Sequence, residues 1–163
     1  MCLKACWRRG LVQRFEELEV WKESRRLAKE IYAITAHPSF KADWDLCRQV
    51  RRAAISAMSN IAEGFERENN KEFIRFLLVA KGSAGEVRSQ LYLALDLQYG
   101  DRETVAPLLA QYAILSRRLS SLIEYLKNCD IPGHKFLELP ADYIAVSAGS
   151  SSNLKPGTSN QSE

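Results

Sequence analysis

Between Glu16 and Asn128 apolar residues recur every three or four positions, and the spacing predicts four amphipathic helices. The first covers about Glu17 to Ala36, with Val20, Ser24, Leu27, Ile31 and Ile34 on one face and Trp21, Ala28 and Tyr32 beside it. His37-Pro38 ends it, because the residue before a proline is driven out of helical geometry. The second starts from a cap at Asp43 or Asp45 and runs to about Glu66 through Leu46, Val50, Ala53, Ala54, Ala57, Met58, Ile61, Ala62 and Phe65. The third, capped by Asn70, buries Phe73, Phe76, Leu77, Ala80, Ala84, Val87, Leu91, Ala94 and Leu95 and stops near Tyr99-Gly100. The fourth, capped by Asp101, carries Val105, Leu108, Tyr112, Leu115, Leu119, Leu122 and Leu126, a seam of threes and fours.

Short connections between long helices argue for an all-α fold, an antiparallel up-down-up-down four-helix bundle over residues 15–128. No strand signal is present. Pro132-Gly133 and Pro140 break the pattern after Asn128, so residues 129–163 read as an extension, with a disordered C-terminal tail from about residue 147. Gly82 and Gly85 inside the third helix each cost about 1 kcal/mol relative to alanine, which suggests that backbone closeness matters there.

Composition narrows the class. The chain is 46% hydrophobic and 26% charged, and no apolar run is long enough to span a bilayer, so a cytoplasmic protein with no membrane contact is expected. The net charge of +3 is unevenly placed: residues 1–14 carry Lys4, Arg8, Arg9 and Arg14 with no acid, while the bundle is close to neutral. Those residues form a basic arm, expected to be poorly ordered. Two readings of it stay open, a nucleic-acid contact through Trp7, Arg8 and Arg9 or an extension from an upstream start site. Cys2 and Cys6 have no second Cys/His pair to complete a zinc site, so no metal and no cofactor is expected.

An enzyme finds little support. His37 and His134 form no dyad or metal spacing, Ser83 lies mid-helix, and Lys81-Gly82-Ser83 lacks the upstream glycine loop of a phosphate cradle. Glu63 and Glu86 could be paired carboxylates, but the Glu-x-x-His element of bundle metal sites is missing.

The second helix is apolar and small on most sides, with a narrow polar line of Arg52, Ser56, Asn60, Glu63 and Arg67. Internal pairing explains much of that line: Glu63 with Arg67, Ser56 or Asn60 with a neighbouring backbone group, and Arg52 with Glu86 or Glu63 with Arg75 across to the third helix. The alternative is that Arg51 and Arg52 are held to contact phosphate or a partner subunit, a use that suits the planar guanidinium. Arg25-Arg26 and Arg117-Arg118 read as solvated faces. Ile55, Ile74, Leu78, Trp21 and Tyr32 widen the apolar coverage beyond one stripe per helix, which points to self-association.

Leu18-Glu19-Val20-Trp21-Lys22, Gln49-Val50-Arg51-Arg52-Ala53, Ser59-Asn60-Ile61-Ala62-Glu63-Gly64-Phe65 and Ala80-Lys81-Gly82-Ser83-Ala84-Gly85-Glu86 together resemble the bacterial four-helix-bundle family encoded by intervening sequences in 23S ribosomal RNA genes. The resemblance spans about Phe15 to Asn128. It implies a ring-like homopentamer, and it extends to the accessory variability proteins of diversity-generating retroelements, which bind nucleic acid and a reverse transcriptase. It marks Arg51, Arg52, Asn60, Glu63, Gly64, Arg67, Gly82, Ser83 and Glu86 as matching positions. The expectation is a non-enzymatic, oligomeric bundle that binds RNA or DNA through backbone phosphates, with Arg51, Arg52, Arg67 and Arg75 as candidate contacts. The competing expectation is a protein-interaction scaffold whose arginines serve subunit or partner contacts.

Overall fold

The computed structural model describes residues 10–67, 69–128, 138–139 and 143. Helix α1 (Glu19–Ile34) follows a 3-10 turn at Phe15–Glu17, where the Gln13 N–H donates to the Glu17 carboxylate at 3.0 Å and Leu18 is buried. It stops short of Ala36 because the buried Thr35 hydroxyl donates back to the Ile31 carbonyl at 2.7 Å, a local bond that competes with further helix. His37-Pro38 then does more than break the chain. Pro38 opens a one-turn helix, α2 (Pro38–Ala42), with His37 Nδ1 accepting from the Ser39 N–H. Proline suits a first helical position, where its missing N–H has no intrahelical partner to lose. Five residues are too few to show a period, which is why α2 has no signature in the hydrophobic pattern. It buries Phe40, and the Ser39 hydroxyl accepts from the Gly100 N–H at 2.9 Å.

Helix α3 (Trp44–Glu66) is capped by Asp43, whose carboxylate accepts from the Leu46 N–H at 2.9 Å. Helix α4 (Asn70–Asp96) is capped one residue earlier than expected: Asn69, not Asn70, accepts from the Glu72 N–H at 2.8 Å. The turn into α5 (Arg102–Lys127) uses positive φ at Gln98 and Gly100, and a Cβ at Gly100 would already touch Phe40 and Val105. The α5 seam from Val105 to Leu126 is buried without exception, and Pro107 is accommodated near the start of the helix. The four long helices form the antiparallel bundle, with α1 and α4 each packed against both α3 and α5. Among the described residues no helix is long and apolar enough to cross a membrane.

Two expectations about small features are corrected. The close approach lies at Gly64, not at Gly82 or Gly85. A Cβ at Gly64 would sit 2.5 Å from the Phe76 Cβ, whereas nothing lies within 4 Å of one at Gly82 or Gly85. A strand signal was also absent, yet Gly10–Leu11 (β1) pairs antiparallel with Glu138–Leu139 (β2). Two residues per strand leave no alternation to read. Next to this pair Val12 is buried, and Tyr143 stacks on Tyr125 at 6.4 Å, so parts of both flanking segments close over the bundle. Trp7, Arg8, Arg9, His134 and the tail from residue 147 lie outside the described residues.

Candidate functional site

The lower part of the α3 polar line is consumed by the fold. Asn60 Nδ2 donates to the Ser56 carbonyl at 2.8 Å and to the Ser56 hydroxyl at 3.1 Å. The Ser56 and Ser83 hydroxyls lie 2.8 Å apart, and Ser83 Oγ donates to the Val79 carbonyl at 3.1 Å. Either hydroxyl can supply the proton of the Ser56–Ser83 bond. The result is a connected set of hydrogen bonds through Asn60, Ser56, Ser83 and the Val79 carbonyl that ties α3 to α4. Glu63 and Arg67 pair at 2.6 Å on the surface, not in the interior. Arg52–Glu86 and Glu63–Arg75 pairs do not form: Arg75 meets Glu72 at 3.6 Å, and Glu86 accepts from Gln90 at 3.2 Å. Partners one turn away on the same helix are reached with little ordering of the chain, and they prevail over the cross-helix pairs.

The four candidate arginines therefore separate. Arg67 and Arg75 flank the Phe76 ring at 5.2 and 5.8 Å, and each has a carboxylate of its own. Arg51 is clamped across to α1, with Nε donating to the Thr35 hydroxyl at 2.7 Å and Nη2 to the Thr35 carbonyl at 3.1 Å. A cation at this place satisfies the open carbonyl end of α1 and complements its dipole. The Arg51 guanidinium also lies 4.8 Å over the Tyr32 ring. Arg52 is exposed and has no ion pair among the described residues.

Arg51 and Arg52 line a groove of about 350 Å³ with Tyr32, Trp44, Cys47, Arg48 and Ile55. Trp44, Arg48 and Arg52 follow one another at intervals of four along α3, and the Arg48 guanidinium lies 4.5 Å from the Trp44 ring. No carboxylate lines the groove, and none of its three arginines has an acidic partner among the described residues. Asp43 at the head of α3 is occupied by its cap. Sequence reasoning reached Arg51 and Arg52 but assigned no role to Trp44 or Arg48. The four-residue interval was the available signal, and it was masked because Trp44 stands at the helix start.

The other basic surface differs. A shallow cleft on α1 is lined by Lys22, Arg25, Arg26 and Lys29, but Arg26 is bound to Glu23, Glu30 and Gln111. Hydrogen bonding from Arg26 holds the Glu23 carboxyl below its ordinary range, and the same bond raises Arg26. Of the apolar residues that widened the helices, Trp21 and Ile74 pack against the bundle's own core. Ile55, Leu78 and Tyr32 remain exposed, as do Val79, Tyr92 and Leu93 on α4. Among the described residues no three His, Cys, Asp or Glu side chains come together. Burial pushes the Tyr112 phenol upward, so it stays protonated.

The sequence model of the 23S rRNA-intervening sequence protein family matches residues 16–121. The chain belongs to that family. Comparison with curated proteins gave no match. Among solved structures, this family member is similar to a protein of unknown function from the S23 ribosomal protein family of Bacteroides thetaiotaomicron, with a TM-score of 0.59 and 23% identity. The likeness covers 64% of this chain and 98% of that one, and it establishes a shared fold. The match takes in α1 to α4 and most of α5, and so includes the groove and the Ser56–Ser83 chain.

Proposed function

We propose that this intervening-sequence protein is a non-enzymatic, cytoplasmic accessory factor that binds RNA or DNA through backbone phosphates at the groove between α1 and α3. The observation that carries this reading is the placement of Arg48, Arg51 and Arg52 around one groove without a carboxylate. Arg51 is pre-positioned by Thr35, and Arg48 and Arg52 present guanidinium groups that suit phosphate oxygens. Binding through phosphates releases counterions, so affinity should fall steeply with salt and show little base preference. Fluorescence anisotropy with a labelled RNA hairpin, titrated from about 50 mM salt upward, tests this. Arg52→Ala and Arg48→Ala should each lower the salt slope by about one, and Arg67→Ala should leave it unchanged. No binding by the wild-type chain at the lowest salt would refute the proposal.

A second reading is favoured by α4. Leu78, Val79, Tyr92 and Leu93 of α4 are each about half exposed, and nothing lies within 4 Å of a Cβ placed at Gly82 between the two pairs. In that reading the protein is an interaction scaffold, with further copies of the chain as first partner. The resembled family supplies the homopentamer as the specific assembly, and the retroelement resemblance supplies a reverse transcriptase as a further partner. Light scattering on the purified chain separates the readings. Loss of oligomer mass in Arg52→Ala, with nucleic-acid affinity unchanged, would assign the arginines to subunit contacts.

A further inference from the structure

Phosphate binding makes use of the groove's arginines but leaves its aromatic residues unexplained. Trp44 is 63% exposed, more than any other large apolar side chain among the described residues, and Tyr32 is 44% exposed. Both rings border the same groove as the arginines, and each has a guanidinium over it, Arg48 on Trp44 and Arg51 on Tyr32. Trp44, Arg48 and Arg52 step along α3 at one helical turn each, about 6 Å per step. Ring, cation, cation thus follow one line.

A duplex offers such a line phosphates only, since its bases are stacked on one another and present no free ring face along its length. A single strand offers both phosphates and unstacked bases, and base-on-aromatic stacking beside a basic groove is how single strands are held without sequence preference. The groove's volume of about 350 Å³ falls within the range of pockets that enclose a small organic group. We propose that the occupant is a single-stranded segment of RNA or DNA, with one base stacked on Trp44 and the neighbouring phosphates held by Arg48 and Arg52. This rests on the nucleic-acid reading of the groove and adds the strand state and the stacking residue.

The test compares three fluorescein-labelled probes of equal charge on the full chain: an oligothymidine of about 12 nucleotides, an abasic strand of the same length, and a closed duplex hairpin. Oligothymidine should bind at least about tenfold more tightly than the abasic strand, and Trp44→Ala should remove about tenfold from the oligothymidine affinity while leaving the abasic and hairpin affinities in place. Trp44→Phe should restore most of the loss. Far-UV circular dichroism verifies the fold of both variants, which alter an exposed side chain. Equal affinity for the abasic strand and oligothymidine, or an equal loss on all three probes in Trp44→Ala, overturns the single-strand inference and leaves phosphate binding standing. Failure of all three probes to bind overturns phosphate binding itself.

Discussion

Along α3, the half from Ser56 to Arg67 and the half from Trp44 to Arg52 differ in whether their polar groups find partners within the chain. In the first half Asn60 and Ser56 join Ser83 of α4 in a chain of hydrogen bonds, Glu63 is taken by Arg67, and Gly64 lets α4 approach until the Phe76 Cβ fills the space a side chain would need. In the second half Arg48 meets a ring, Arg51 a ring, a carbonyl and a hydroxyl, and none of Arg48, Arg51 and Arg52 meets a carboxylate among the described residues. Both halves lie in the match to the family. The difference teaches that a polar line read from a helix can be structural at one end and available for binding at the other. Spacing alone does not distinguish the two, because an arginine's partner depends on what the neighbouring helix brings.

The comparison breaks first at Gly64. Gly64→Ala should destabilise the protein by about 3 kcal/mol, because the α3–α4 crossing must open. In thermal unfolding that corresponds to a fall in Tm of about 10 °C, and an unchanged Tm would mean that the crossing is not tight. The next effect concerns the two sets of arginines. Combined Arg48→Ala and Arg52→Ala should weaken binding to a short RNA hairpin by about tenfold and lower the salt slope by about two, while combined Arg67→Ala and Arg75→Ala should change neither. Equal effects from both pairs would erase the distinction between the two halves. Ser83→Ala should cost about 1 kcal/mol, since Ser56 loses its hydrogen-bond partner in a half-buried place. Adding Ser56→Ala should then cost less than the sum of the two single changes, a coupling that a double-mutant cycle measures. The smallest effect has the opposite sign. Gly82→Ala should stabilise an isolated chain by up to about 1 kcal/mol, because a Cβ there meets nothing. If it lowers oligomer mass in light scattering instead, the outer face of α4 is a subunit contact.

The long helices and most of their buried faces were legible because each buries a stripe over many turns, and period is a property of the sequence; Met58, Ala62, Phe76 and Leu95 share that period but sit at the margins of their stripes, only partly buried. The α3 cap was legible to within two residues, as Asp43 or Asp45, because a cap reaches only three residues ahead; the structure selects Asp43, while Asp101 before α5 makes no side-chain cap bond. The candidate site was half legible. Arg51 and Arg52 stood out as long charges on a helix of small residues, but Arg67 and Arg75 looked equivalent until Glu63, Glu72 and Phe76 were placed beside them. Trp44 and Arg48 were passed over because an aromatic residue at a helix start is most simply read as packing, and only its exposure shows that it packs on little. Gly82 and Gly64 show the same limit: glycine tells that a side chain is missing, not what would have met it.

The sequence by itself determined the all-helical bundle, its register of buried residues and its family, because all of these depend on periodicity and local motifs. The tertiary structure alone decided which polar groups are used up, where β1 finds β2, and that Tyr32 of α1 joins Trp44, Arg48, Arg51 and Arg52 of α3 around one groove. These relations join residues far apart in the chain. Their energies depend on distance and burial, which exist only once the helices have packed.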